Sequence, residues 1–110
     1  MYIERREVEN GYCYDVWNTN YAGVIANARI LEKGDYILIS NINVNREYRG
    51  IGIGTKLLKQ IISDFKDRDI ILWCFRERIE WYKKFSFEVE NEDNNIIKLC
   101  KKSIRSKQQI

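Results

Sequence analysis

The chain has 110 residues, the usual size of one domain, and its apolar and aromatic fractions of 45% and 13% are ordinary for a globular protein. It contains no histidine, which excludes histidine-based catalytic triads and histidine metal sites. Its formal net charge of +3 suits an anionic ligand but does not indicate nucleic-acid binding. The charged N-terminus is not a secretory signal, and no apolar run approaches the roughly 20 residues of a membrane span, so we predict a cytoplasmic protein.

The first half of the chain predicts an antiparallel meander, because short apolar runs alternate with turn signals. The predicted strands are Ile3–Val8, Tyr12–Trp17, Ala22–Leu31 and Tyr36–Val44. The predicted turns are Asn10-Gly11, Asn18–Asn20 and Lys33-Gly34-Asp35. Regular alternation in the fourth strand predicts one face made of Tyr36, Leu38, Ser40, Ile42 and Val44, and another made of Ile37, Ile39, Asn41 and Asn43.

The second half predicts a different architecture. Apolar residues at three- and four-residue spacing predict a helix over Thr55–Phe65. The unbroken apolar run Ile70–Phe75 is typical of a strand covered on both faces and parallel to its neighbour. We further predict a short helix over Arg78–Phe85, and two last strands on either side of an Asn91–Asn95 turn. These strands are Phe87–Glu90 and Ile96–Lys101.

Together these elements predict one mixed α/β domain over residues 1–102, in which the meander is followed by a single parallel βαβ unit. Residues 103–110 are predicted to form a polar basic tail. Basic residues that could contact nucleic acid or an acidic partner cluster near this end, but a solubilising role is favoured. They are Lys98, Lys101, Lys102, Arg105 and Lys107.

Between the fourth strand and the helix lies a glycine-rich turn, from Arg49 to Thr55, with glycines at three alternate positions. Such a turn can direct several backbone N–H groups and the positive end of a helix toward one anion. A phosphate or pyrophosphate is the expected ligand. The spacing alone leaves open that the glycines serve only the geometry of the turn.

The residues around this turn are similar to those of the GNAT N-acetyltransferases. Arg49-Gly50-Ile51-Gly52-Ile53-Gly54 fits that family's pattern Arg/Gln-x-x-Gly-x-Gly/Ala, and Trp81–Glu88 resembles its late aromatic-Tyr-x-x-apolar-Gly-Phe motif. The two motifs span roughly residues 36–87. The resemblance implies a GNAT-like fold that lacks the usual helices between the first two strands. The acceptor pocket should then be open, or completed by a partner subunit in a homodimer.

The resemblance also implies which residues hold acetyl-CoA, the acyl donor. In the family the fourth and fifth strands splay apart, so the backbone at Ile42 and Val44 would hold the pantetheine arm. The pyrophosphate would lie on the turn, with N–H groups from Arg49, Gly50, Ile51, Gly52, Ile53, Gly54 and Thr55. Tyr82 matches the family's general acid, which protonates the leaving thiolate, although a purely packed aromatic ring is the alternative. No metal site is expected.

A general base is not evident, because Ser40, Asn41 and Asn43 stand where some members carry glutamate. The options for removing the proton of the amine are a water molecule relayed by Ser40 or Asn41, or no dedicated base. Two further departures are Ser86, in place of a glycine whose tight turn it could reshape, and Phe75, in place of an asparagine.

The three cysteines, Cys13, Cys74 and Cys100, form no metal pattern and are expected to be buried free thiols in a reducing cytosol. Cys74 lies on the fifth strand, where an acyl-cysteine intermediate is the less favoured alternative to direct transfer. The resulting hypothesis is an N-acetyltransferase acting on a primary amine: a protein lysine, a protein N-terminus or a small molecule. The alternative is a non-catalytic acyl-CoA-binding, protein-binding or inhibitory module.

Overall fold

Seven strands form one mixed sheet in the computed structural model, which describes residues 1–18 and 23–104. They are β1 (Tyr2–Val8), β2 (Gly11–Asn18), β3 (Gly23–Glu32), β4 (Tyr36–Val44), β5 (Asp69–Phe75), β6 (Glu88–Asp93) and β7 (Ile96–Lys101). Their order across the sheet is β1-β2-β3-β4-β5-β7-β6. Two helices, α1 (Ile53–Asp64) and α2 (Ile79–Lys83), complete the described elements, and neither is long and apolar enough to cross a membrane.

β4 and β5 are neighbouring parallel strands, with Tyr36 to Ile39 alongside Asp69 to Leu72, and α1 connects them. Every other strand pair in the described sheet is antiparallel. The predicted fold class, a meander followed by one parallel unit, is therefore confirmed. β1 and β2 are joined directly through Glu9 and Asn10, so the chain has no helix between them.

Both helices pack on the same face of the sheet. The apolar side of α1 is fully buried at Leu57, Leu58 and Ile61, and it joins one core cluster with the inward residues of the strands and with Tyr82 of α2. Burying each such leucine or isoleucine contributes roughly 1.5–3 kcal/mol, which fixes the helix on the sheet. The three- and four-residue spacing in the sequence predicted this side correctly.

A polar contact ties the C-terminal end of α1 to the meander. The buried Tyr14 of β2 donates a hydrogen bond from its hydroxyl to Oδ2 of Asp64 at 2.6 Å, and the guanidinium of Arg5 lies 3.6 Å from the same oxygen. Burial and the neighbouring carboxylate raise the pKa of Tyr14, so its hydroxyl keeps the proton that it donates.

The opposite face of the sheet is open, because the described helices both lie on the first face. In β5, Ile70 and Leu72 are buried, whereas Trp73 is 48% exposed and Phe75 61% exposed. The prediction that Ile70–Phe75 is covered on both faces is therefore wrong. An unbroken apolar run indicates the strand but does not reveal whether anything covers its second face.

Several predicted boundaries are also corrected. The predicted helix Thr55–Phe65 begins earlier, at Ile53, and ends at Asp64, and the predicted helix Arg78–Phe85 is reduced to Ile79–Lys83 after a 3₁₀ turn at Arg76–Arg78. Strand β6 replaces the predicted Phe87–Glu90 and continues to Asp93, so the turn is only Asn94–Asn95. Asn94 has a positive φ of 53°, as asparagine readily adopts in a two-residue hairpin turn.

Some predicted features fall on residues that the structure does not describe. These are most of the turn Asn18–Asn20, the strand start at Ala22 and residues 105–110 of the predicted tail. The three cysteines are within the described part of the chain, and all are free thiols. Cys100 is buried, but Cys13 and Cys74 are only half-buried, so the expectation of buried thiols is wrong for these two.

Candidate active site

A gap opens between β4 and β5 where their pairing stops. The parallel ladder ends at Ile39 and Leu72, but β4 remains paired with β3 as far as Val44, and β5 remains paired with β7 as far as Phe75. The two strands therefore diverge beyond Ile39, as the family resemblance predicted. The divergence frees the edge of β4 from Ser40 onward for hydrogen bonds to a ligand.

A β-bulge lies where the strands diverge. Ile30 of β3 pairs with Ile39, and the preceding Arg29 pairs with Asn41, so Ser40 is an extra residue in β4. Its hydroxyl donates to the carbonyl oxygen of Arg29 at 3.3 Å. The bulge is the main feature of the site that the sequence did not predict, because it depends on the register with β3.

The bulge changes which side chains of β4 face the core. Ile37 and Ile39 are buried before it, and Ile42 and Val44 pack against the core after it. The regular alternation predicted from the sequence, with Ile42 and Val44 on the face of Tyr36, is therefore wrong in the second half of the strand. Asn41 and Asn43 are exposed instead.

A cleft of about 670 Å³ occupies the gap between the strands. It is lined by β4, β5, the glycine-rich turn and α2. The lining residues are Ile39 to Val44, Tyr48 to Gly50, Gly52 to Thr55, Leu72 to Phe75, Arg78, Trp81 and Tyr82. The charged side chains among them are Arg49 and Arg78, with no aspartate or glutamate in the described lining, so the electrostatics favour an anionic ligand.

The glycines of the turn differ in backbone conformation and in the space around them. Gly50 and Gly52 have left-handed φ values of 82° and 87°, and a Cβ built on either would meet nothing within 4 Å. They provide the backbone conformation and leave open space beside the turn. A Cβ on Gly54 would lie 3.4 Å from Cγ2 of Val44, which is an ordinary van der Waals contact, so this residue lies where the first turn of α1 packs beside β4.

The N-terminus of α1 opens into this cleft. Gly52 is its N-cap, no side chain caps the helix, and its first turn contains no acidic residue. The N–H groups of Ile53, Gly54 and Thr55 lie in that first turn, where a helix offers no acceptor for them. The positive end of the helix is thus left for an anion.

Arg49 braces the turn against the strand. Its Nε donates to the carbonyl oxygen of Val44 at 2.7 Å, while the side chain remains exposed and lines the cleft. The end of β4 and the start of the turn are therefore linked by the residue that begins the family motif.

Tyr82 comes from α2 and is 7% exposed. Its ring makes edge contacts with Trp81 and Phe87, at centroid distances of 4.9 and 5.7 Å. Burial, together with the nearby Cys74, raises the pKa of Tyr82 to about 12, whereas the charge of Arg78 opposes the shift. The hydroxyl therefore stays protonated at neutral pH, which is the state required of a proton donor.

The other departures from the family pattern have distinct outcomes. Ser86 keeps a left-handed backbone with a φ of 71°, and its N–H donates to the carbonyl of Lys83 at 3.1 Å. The chain therefore retains the conformation that favours glycine, at a cost of about 1–2 kcal/mol. Phe75 is exposed on the open face. Cys74 lines the cleft, but burial raises the pKa of its thiol, which makes it a poor nucleophile.

Most of the predicted site residues lie together. Ile42, Val44, Arg49, Gly50, Gly52, Ile53, Gly54, Thr55 and Tyr82 all line the cleft. Ile51 does not, since its side chain is 68% exposed and outside the lining. The role of each residue toward the cofactor stays a prediction.

Sequence reasoning missed the cleft residues Trp73, Trp81 and Arg78. Arg78 precedes Tyr82 by four residues, a helical spacing that could have indicated their proximity.

The profile of the acetyltransferase (GNAT) family matches residues 1–87, most of the chain. The chain belongs to the GNAT acetyltransferase family. No curated protein matches the sequence significantly.

Solved structures agree on the fold. A GNAT family acetyltransferase from Elizabethkingia anophelis with acetyl-CoA bound has a TM-score of 0.75 at 18% identity, over 86% of this chain and 77% of that one. A Bacillus subtilis acetyltransferase in complex with CoA has a TM-score of 0.75 at 18% identity, over 88% of this chain and 80% of that one. The ribosomal-protein-S18-alanine N-acetyltransferase from Escherichia coli has a TM-score of 0.77 at 17% identity, over 89% of this chain and 73% of that one.

Proposed function

We propose that the protein transfers an acetyl group from acetyl-CoA to a primary amine. The observation that carries this proposal is that one cleft joins three features: the free edge of β4, the uncapped N-terminus of α1 and the protonated hydroxyl of Tyr82. Two of the structurally similar proteins contain acetyl-CoA or CoA, which supports this ligand for the family fold.

The residues of the cleft suit the parts of acetyl-CoA in turn. The amide groups of the pantetheine arm can pair with the backbone from Ser40 to Val44, as an added strand would. The pyrophosphate can accept hydrogen bonds from the N–H groups between Gly50 and Thr55. Arg49 supplies a positive charge beside them. Charge-assisted hydrogen bonds of this kind contribute about 1.5–3 kcal/mol each.

Transfer requires a neutral amine, which attacks the thioester carbonyl and loses a proton, and a thiolate that leaves with a proton. Two observations support Tyr82 as the donor of that proton: its hydroxyl is protonated, and its side chain lines the cleft. No carboxylate among the described lining residues can accept the proton of the amine. The proton that the amine loses on attack therefore passes to water, either to a molecule held near Ser40 or Asn41 or, without a dedicated base, to the solvent.

Direct transfer is favoured over a covalent enzyme intermediate. The only thiol among the described residues that line the cleft is Cys74, and its raised pKa keeps it protonated. A Cys74→Ser variant should therefore retain most of the activity.

The lack of a carboxylate base also favours a second candidate, a module that binds acyl-CoA without catalysis. Incubation with acetyl-CoA and a set of amines, followed by mass spectrometry of the products, separates the two. Under our proposal at least one amine gains 42 Da in a reaction that depends on Tyr82. CoA binding without any acetylated product would favour the non-catalytic module.

A further inference from the structure

A group of exposed apolar side chains lies on the open face beside the cleft. Trp73 and Phe75 point to this face from β5, and Ile96 of β7 pairs directly with Phe75. Their exposed fractions are 48%, 61% and 41%. We call these three residues the aromatic strip. Two residues along a strand span about 6.6 Å, so the strip can accommodate one aromatic ring.

The strip is continuous with the cleft, because Trp73 and Phe75 are both cleft-lining residues. Large apolar groups that are exposed next to a binding cleft mark a surface for a ligand. The helices α1 and α2 pack into the core on the other face of the sheet. An acceptor amine that enters from the open face would pass the strip.

The charges around the strip restrict the acceptor further. The described lining of the cleft carries two arginines and no carboxylate. Lys98 pairs with Trp73 across the strands, and its ammonium is held by Glu90 at 2.9 Å. The described lining of the cleft therefore has no carboxylate for the second or third ammonium of a polyamine, and Asp93, which pairs with Ile96 of the strip, is outside that lining.

We propose, building on the proposed function, that the aromatic strip is the acceptor subsite, and that the acceptor is a primary amine next to an aromatic or large apolar group. The side chain of the acceptor packs on Trp73 and Phe75 while its nitrogen points into the gap. The nitrogen forms a bond to the acetyl carbon as the carbon–sulfur bond breaks. The amine proton passes to water, and the thiolate takes a proton from Tyr82, which water later restores.

The test compares acceptors at saturating acetyl-CoA. Phenethylamine and a short peptide that begins with phenylalanine represent the two sources of this chemistry, and their relative rates tell a small amine from a polypeptide. Spermidine and a peptide that begins with aspartate are the contrasting acceptors. We expect at least one aromatic acceptor to exceed both contrasting acceptors in kcat/KM by about tenfold or more.

Substitutions in the aromatic strip test whether the acceptor preference arises there. Phe75→Ser and Trp73→Gln should each raise KM for the aromatic acceptor by about tenfold, whereas kcat and the KM for acetyl-CoA should change little. Trp73→Phe keeps an aromatic ring and should retain most of the acceptor affinity that Trp73→Gln loses. Tyr2→Ser is the matched control, since Tyr2 is 55% exposed but lies on β1 at the far edge of the sheet. It should leave all constants unchanged.

Calorimetry with phenethylamine and the CoA-loaded protein gives a readout that does not require turnover. Binding that Phe75→Ser abolishes, without acetylation of any amine, would retain the subsite and reject the proposed enzyme. A preference for spermidine, or equal KM values in Phe75→Ser and the parent, would overturn the subsite. So would a Phe75→Ser variant whose only change, by analytical ultracentrifugation, is the loss of a dimer, because the strip would then be a contact between copies.

Discussion

Nε of Arg49 lies 2.7 Å from the carbonyl oxygen of Val44, so the first residue of the glycine-rich turn is bonded to the last residue of β4. This contact joins the strand edge proposed for pantetheine to the turn proposed for pyrophosphate. It also holds the guanidinium beside the cleft, with its remaining donors directed to solvent or ligand. Arg49 is thus both a brace and a source of positive charge.

Replacing Arg49 tests this double role. Arg49→Ala should weaken CoA binding by about tenfold to a hundredfold, because one charge-assisted interaction and the brace are both lost. Arg49→Lys should recover only part of the affinity, since an ammonium does not reproduce the planar guanidinium. Isothermal calorimetry measures both. Arg46→Ala removes the same charge from an exposed residue outside the cleft lining. An equal loss of CoA affinity in that variant would show that the effect comes from net charge alone.

A second prediction uses two glycines with nearly the same backbone. Gly52 and Gly34 have φ values of 87° and 80°, and a Cβ on either would meet nothing within 4 Å. Glutamate at either position should destabilise the fold by a similar amount, roughly 1–2 kcal/mol, from backbone strain. Only Gly52→Glu should abolish CoA binding, because it places a carboxylate beside the phosphates. Urea unfolding and calorimetry on both variants separate the two effects, and a Gly52→Glu protein that binds CoA normally would rule out this site.

The third prediction concerns the proton on Tyr82. Tyr82→Phe should lower kcat by about a hundredfold or more, in the range for losing a general acid, while KM for acetyl-CoA moves little because the ring remains. Cys74→Ser is the neighbouring control and should keep most activity. A fully active Tyr82→Phe enzyme would falsify the general-acid role and leave the ring as a packing element.

The pH profile gives an independent check on the same group. Because the pKa of Tyr82 is raised to about 12, its hydroxyl stays protonated at pH 10, where an ordinary tyrosine is about half deprotonated. The rate should therefore rise with pH as the amine is deprotonated, and it should reach a plateau without falling near pH 10. A fall there that Tyr82→Phe removes would show that the pKa is not raised.

The fourth prediction concerns stability away from the cleft. Tyr14→Phe removes the 2.6 Å hydrogen bond to Asp64 and should lower the free energy of unfolding by about 1.5–3 kcal/mol, the range for a bond to a charged group. CoA affinity of the folded protein should be unchanged. Tyr2→Phe, at an exposed position, is the control and should change neither quantity. Denaturant melts of both variants and of Asp64→Asn would assign the loss to this pair.

The sequence predicted what depends on periodicity and on local motifs. The spacing of Leu57, Leu58 and Ile61 indicated the buried side of α1, and the change of pattern after Val44 indicated the single parallel pair. These features are encoded by neighbouring residues and need no knowledge of the partner strand.

What the sequence did not reveal depends on contacts between distant segments. The bulge at Ser40 is set by the register with β3, and the exposure of Trp73 depends on the absence of a covering helix among the described residues. The asparagines at Asn91 and Asn94 have similar turn propensity, but only the pairing of β6 with β7 decides that Asn91 lies in a strand. Tertiary context overrode local propensity in each case.

The extra residue in β4 also links the length of this strand to the faces on which its side chains lie. With Ser40 present, Ile42 and Val44 complete the core, and the two asparagines remain in water. Regular pairing of the full-length strand without the bulge would exchange these two sets, placing amide side chains under α1 and isoleucine in solvent. Deletion of Ser40 would instead remove the bulge and leave both sets on their present faces. A one-residue change in the exposed turn before β4, at Gly34 or Asp35, likewise leaves the inward and outward positions unchanged. The bulge is therefore what lets a strand with one extra residue keep the same buried and exposed faces as a strand that lacks it.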